Sequence, residues 1–180
     1  MKEIYILLTS TNTIYARAIR LYTKKSYTHS SIALDDSLNN MYSMTRKYYR
    51  NPFLGVFKKE EIDKGVFSFY PECPAVVIKL KVNAEQHNEI RQMIWDFNKK
   101  KIKYNLRGIF YRVIKKEYSA KDRFFCSELI AYILKETEVF DFEKPLNFVE
   151  PSDLLTIPDA EVIYQGPLAN YSIDNLQFTN

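Results

Sequence analysis

An α+β fold in a single domain is what this sequence predicts, on three observations. Short β-branched and apolar runs bounded by polar turns alternate with segments whose apolar residues recur at helical spacing. Hydrophobic residues make up 46% and charged residues 27%, a globular balance far from that of disordered chains. The 180 residues fit one domain, 1–180, since domains most often run to roughly 100–150 residues. Only four glycines leave few hinges, and 14 Tyr and 12 Phe supply bulky packing.

In chain order, Ile4 to Leu8 read as a buried strand, and the polar Thr9 to Asn12 as a turn able to cap a helix carrying Ile14, Ala18, Leu21 and Tyr22. Tyr27 to Leu34 and Met41 to Thr45 predict two strands of a hairpin turning through Asp35 to Asn40. Lys47 to Pro74, with Pro52, Gly55, Gly65 and Pro71, reads as loops around a short strand at Val66 to Tyr70. Ala75 to Val82 is a β-branched strand. Asn83 then caps a helix with Ile90, Met93, Ile94 and Phe97 on one face, which the following lysines end. Phe124 to Leu134 repeats apolar residues at helical intervals, with Ser119 or Asp122 placed to cap it. The proline-rich tail holds one strand, Ala160 to Tyr164, and is expected to wrap the body.

The first residues offer a five-residue apolar run, short of a secretory core of about 7–15 residues. No window approaches the ~18 apolar residues of a spanning helix, so the expected setting is soluble, unexported and cytoplasmic. Two cysteines make no disulfide framework. The net charge of +4 is unevenly placed: ten basic residues fall between Lys99 and Arg123 against Glu117 and Asp122.

The chemistry centres on Cys126 and His29. Cys126 falls in the first turn of its helix, where unpaired N–H groups and the positive end of the dipole favour a thiolate. The competing reading packs it as a small core residue beside Leu129 and Ile130. His29 opens the strand THSSIAL, and its ordinary pKa of about 6.5 suits proton exchange with a thiol.

TIYARAIRLYTKKSYTHSSIAL followed by FFCSELIAYIL resembles the permuted papain-like cysteine hydrolases of the NlpC superfamily, over residues 4–45 and 100–137. In those proteins, as here, the strand with the histidine precedes the helix with the cysteine. The resemblance implies a circularly permuted papain-like (NlpC-type) fold, an antiparallel barrel-like sheet flanked by helices. It also implies a thiol hydrolase or acyltransferase acting on an amide or ester of a peptide, cell-wall fragment or lipid. It implies a third polar residue on the strand after the histidine. Ser43 is the best match on NMYSMTR, although members often carry a carboxylate, amide or imidazole there; a backbone carbonyl or Asp35 could substitute. The Cys126 N–H would help hold an oxyanion, with Tyr118 and Tyr104 as candidates to line the substrate site. Glu128 is read as a helix-surface or supporting acid.

Cys73 is expected to be structural and His87 exposed. No CxxC or HxxxH spacing suggests a metal, no glycine loop suggests a nucleotide, and no cofactor is expected. The rival reading is a non-catalytic module whose basic face, 99–123, holds anionic lipid or, less readily, nucleic acid. Tyr104, Phe110, Tyr111, Tyr118 and Phe124 interleave there with Arg107, Arg112, Lys115, Lys116 and Arg123. A peripheral membrane contact gains about 1 kcal/mol per basic residue. Sedimentation should therefore show salt-sensitive binding to anionic but not neutral vesicles, weakened by Lys115→Glu with Lys116→Glu; indifference to salt and charge reversal would exclude that contact.

Overall fold

A computed structural model describes residues 1–11, 17, 21, 26–48, 51–120 and 122–172. Among the described residues eight strands form one sheet: β1 (Lys2–Thr9), β2 (His29–Ala33), β3 (Met41–Tyr48), β4 (Asn51–Glu60), β5 (Pro74–Val82), β6 (Lys103–Tyr104), β7 (Arg123–Phe124) and β8 (Glu161–Pro167). The α-helices among the described residues include α1 (Val66–Phe69), α2 (Ala84–Lys100), α3 (Leu106–Val113) and α4 (Cys126–Glu136). The strand order is β7-β6-β4-β3-β2-β1-β5-β8. Every pairing is antiparallel except β6 with β7, so the sheet is mixed and open where an antiparallel, barrel-like one was expected. The α+β class stands.

The apolar run of β1 has a direct physical cause: both faces of the sheet are covered. Ile4, Ile6 and Leu8 face one core with Ile32, Ile78, Ile90, Leu129 and Ile133. Tyr5 and Leu7 face a second with Ala33, Met41, Phe67, Cys73 and Leu168. Alternate residues of a strand point to opposite faces, so a strand between two cores is apolar throughout. Each fully buried Leu or Ile of α4 contributes about 2 kcal/mol, which anchors that helix against the first core.

The β2–β3 hairpin turns through Asp35, whose carboxylate accepts from the N–H groups of Asn39 at 2.9 Å and Asn40 at 3.0 Å. Asn83 caps α2 as expected, in a reciprocal capping box with Gln86 at 2.8 and 2.9 Å. The lysine run ends α2, with Lys101 left-handed at φ 52°.

Three expectations are corrected. Val66–Phe69 is a single helical turn: Gly65 at φ 63° turns the chain, and Ser68 donates to the Gly65 carbonyl at 2.9 Å. The supposed loop after Lys47 contains the long strand β4. Its Gly55 disguised it in sequence, yet the glycine is required because an added Cβ would lie 2.6 Å from Tyr104 Cβ. The cysteine helix begins at Cys126 and is capped by neither Ser119 nor Asp122. Pairing with β6 holds Arg123 and Phe124 extended and leaves Phe125 as the cap residue. The helix expected around Ile14 to Tyr22 lies, but for Arg17 and Leu21, outside the described residues. No described helix is long and apolar enough to cross a membrane.

Asn83→Ala should cost about 1 kcal/mol, read as a melting temperature lower by about 2–4 °C; Asn83→Ser, which keeps a capping oxygen, should melt close to wild type.

Candidate active site

Cys126 is the first residue of α4 and His29 the first of β2, and the fold brings them together at one end of the sheet. The imidazole is hydrogen-bonded to the Cys126 side chain. Its Nε2 lies 3.0 Å from Glu60 Oε2, so Nδ1 is the ring nitrogen left to face the thiol. Glu60, the last residue of β4, is a buried carboxylate that also accepts from Ser43 Oγ at 2.6 Å and Ser31 Oγ at 2.7 Å. Ser43 and Ser31 sit 3.3 and 3.4 Å from the same Nε2. Three adjacent strands thus converge on one imidazole, because alternate positions of β2, β3 and β4 share a face: His29 and Ser31, Ser43, and Glu60.

The electrostatics form a chain. Burial penalises the His29 imidazolium, but the Glu60 charge and the bonds to Cys126 and Glu60 outweigh it, so its pKa rises well above the ordinary value. Burial likewise opposes the Glu60 carboxylate, yet His29 and the Ser43 and Ser31 hydroxyls hold it far below the usual range. Burial disfavours the Cys126 thiolate, and His29, with hydrogen bonds from Ser30, more than compensates and draws the thiol down. Cys73, buried without such partners, is pushed up to about 11.

Unspent polar atoms gather at this end. The buried hydroxyls of Thr9, which pairs with His29 across the sheet, and of Thr28, which precedes it in the chain, have no well-formed hydrogen bond. Such orphans concentrate where a ligand or water supplies the partner. Phe67 tilts against His29 at 6.2 Å between ring centres, and a groove of about 350 Å³ runs past Glu60 and Phe67 to Lys58, Lys64 and the exposed Phe69.

The remaining expected residues fall as follows. Ser43 reaches His29, and its shorter bond, at 2.6 Å, is to Glu60, which sits against the same imidazole. Asp35 is spent on the hairpin turn. Tyr104 packs edge-on against Phe125 at 5.7 Å, and Tyr118 stacks on Tyr111 at 4.7 Å. Glu128 is buried rather than on the surface, and accepts from the Phe125 N–H at 2.9 Å and Asn105 Nδ2 at 3.1 Å. His87 is half-buried in a second groove with Trp95, Arg91 and Tyr42, not exposed. Of the basic residues, Arg112 turns inward to the Phe148 carbonyl at 3.0 Å and Glu150 at 3.4 Å. Glu60 itself escaped notice because it stands in KKEE, a run that reads as a solvated turn.

No family model matches this chain, and no curated protein does. Among solved structures it is similar to the crystal structure of the metalloprotein yiiX from Escherichia coli O157:H7, DUF1105, with a TM-score of 0.51 and 14% identity over 91% of this chain and 97% of that one. At that identity the likeness is one of fold.

Iodoacetamide labelling against pH should find Cys126 titrating below the ordinary thiol range and Cys73 above it; equal rates, or a faster Cys73, would contradict the geometry. His29→Ala should raise the Cys126 titration. Because the Glu60 pKa is depressed, its stabilisation is present above its ordinary value of 4.5 and lost as pH falls through the depressed one. The His29 contribution, from a raised pKa, is complete below 6.5 and lost as pH rises through the raised value. Acid unfolding of Glu60→Gln should accordingly be less steep in pH.

Proposed function

We propose that this chain is a cysteine-dependent hydrolase or acyltransferase of the permuted papain-like kind, with Cys126 as nucleophile, His29 as base and Glu60 orienting the imidazole. The observation that carries the reading is the buried Glu60–His29–Cys126 chain. Burying a carboxylate costs several kcal/mol before its partners offset it, and an apolar side chain would serve stability as well. A carboxylate kept there to raise the basicity of an imidazole against a thiol is what nucleophilic catalysis needs.

In this mechanism the thiolate of Cys126 attacks the carbonyl carbon of an amide or ester, and the oxyanion is met by the Cys126 N–H. His29 gives its proton to the leaving amine or alcohol as the tetrahedral intermediate collapses to a thioester. Water, or the hydroxyl or amine of an acceptor, then attacks the thioester while His29 removes its proton, and the thiol is restored. Peptides, cell-wall fragments and lipids all offer such carbonyls. The histidine-before-cysteine order, which the resemblance to the NlpC superfamily rests on, supports the permuted form.

The similar structure is described as a metalloprotein. Among the described residues no group of three or more His, Cys, Asp or Glu is placed to hold an ion, and the steps above run on Cys126, His29 and Glu60. The basic-face reading has no comparable buried arrangement behind it.

Wild-type protein should hydrolyse p-nitrophenyl acetate with a burst that leaves Cys126 acetylated by mass spectrometry. Cys126→Ala should abolish the burst, and His29→Ala and Glu60→Gln should lower kcat/KM by about 100-fold or more. An unaltered rate in Cys126→Ala would sink the assignment.

A further inference from the structure

Phe125 is a poor residue to begin a helix. Ser, Thr, Asp or Asn there would accept from a first-turn N–H, whereas a phenyl ring cannot. The chain forgoes that cap immediately before Cys126, which leaves the first-turn N–H groups without a capping side chain. The start of α4 must be held by something else.

It is held from the segment 104–112. The Glu128 carboxylate reaches back to the Phe125 N–H at 2.9 Å and takes Asn105 Nδ2 at 3.1 and 3.4 Å on its two oxygens. Asn105 is fully buried, and its Oδ1 accepts from the Gly108 N–H at 2.8 Å, at the start of α3. That bond fixes the amide's orientation: Oδ1 faces α3 and the NH₂ must face Glu128. Tyr104 meets the Phe125 ring edge-on at 5.7 Å, and the Arg112 guanidinium lies 5.8 Å from its centre. Gly108 completes the brace, since an added Cβ would lie 2.4 Å from Asn105 Nδ2.

We infer that Glu128 and Asn105 are positioning residues for Cys126, a buried carboxylate–carboxamide contact that transmits the placement of α3 into the first turn of the cysteine helix. This rests on the reading of Cys126 as the reactive thiol. The contact sets where the sulfur and its own N–H stand relative to His29 without touching either. A glutamine at 128 whose oxygen keeps the Phe125 bond and the 3.1 Å Asn105 bond turns its NH₂ onto the Asn105 NH₂ in place of the 3.4 Å contact, and an aspartate at 105 sets carboxylate against carboxylate. Both changes together keep an oxygen for the Phe125 N–H and one for the Gly108 N–H, restore a donor–acceptor match at the 3.4 Å contact, and leave the net charge unchanged.

The test is the pH profile of iodoacetamide alkylation at Cys126, with Cys73 as internal reference, in Glu128→Gln, Asn105→Asp, their double variant and Gly108→Ala. Each single change should slow Cys126 alkylation near neutral pH by about tenfold, since small displacements of reacting groups cost at least that much. Its titration should move upward while Cys73 keeps its own, and the double variant should return most of the rate. Gly108→Ala should slow Cys126 too, although alanine favours the helix. A purely electrostatic role predicts the opposite for Glu128→Gln, which removes a negative charge beside a thiolate and would speed alkylation. A purely structural role predicts a lower melting temperature with an unmoved titration. Either result overturns the inference, as does a double variant no faster than its parents. Should a single variant fail to fold, Gly108→Ala and the double variant still decide. The readout is the thiol itself, so it stands apart from esterase activity: loss of the proposed function would show in Cys126→Ala, not in these profiles.

Discussion

The carboxylate of Glu60 lies almost out of reach of water, with a side chain 8% exposed, and it survives there as an anion because His29, Ser31 and Ser43 meet the same oxygen. Much of the site depends on that burial. An anion in a low-dielectric setting must draw positive charge to itself, which keeps the imidazole protonated and so favours a thiolate on its other side. Without the carboxylate, burial alone would push the imidazole toward neutrality and the thiol toward the behaviour of Cys73. The two buried cysteines of this chain differ in partners, and their thiols are shifted in opposite directions accordingly.

The sheet makes this arrangement possible by being covered on both faces. The second core, with Phe67 packed against the His29 ring, closes the face on which Glu60, Ser31 and Ser43 converge. The first core seats α4 against β2, so the helix start and the strand start meet at one end of the sheet. Cys126 and His29 thus come from opposite layers, each held by its own apolar contacts, and neither depends on a loop for its position. The catalytic pair proposed above would need such rigidity.

The start of α4 forgoes a stabilising cap. A capping side chain would have stabilised the helix by about 1 kcal/mol and occupied an N–H that a reacting oxygen could use. Phe125 supplies packing instead, and Glu128 and Asn105 hold the turn from within.

What the sequence by itself determined are the features set by neighbours in the chain. The strands of β1, β5 and the β2–β3 hairpin, the Asn83-capped helix and the place of Cys126 in a first helical turn all follow from apolar period and capping chemistry within about ten residues. The pairing of His29 with Cys126 was legible only through the resemblance in their order. Tertiary structure alone decided the rest, for one physical reason: those features depend on partners far away in sequence. Glu60 becomes an orienting carboxylate only when β4 aligns with β3, and within KKEE nothing local marks it for burial. Gly55 sits inside a strand because Tyr104 crosses it. The cysteine helix begins at residue 126, not 124, because β6 takes Arg123 and Phe124 into the sheet. Glu128 is buried because Asn105, 23 residues away, is there to meet it.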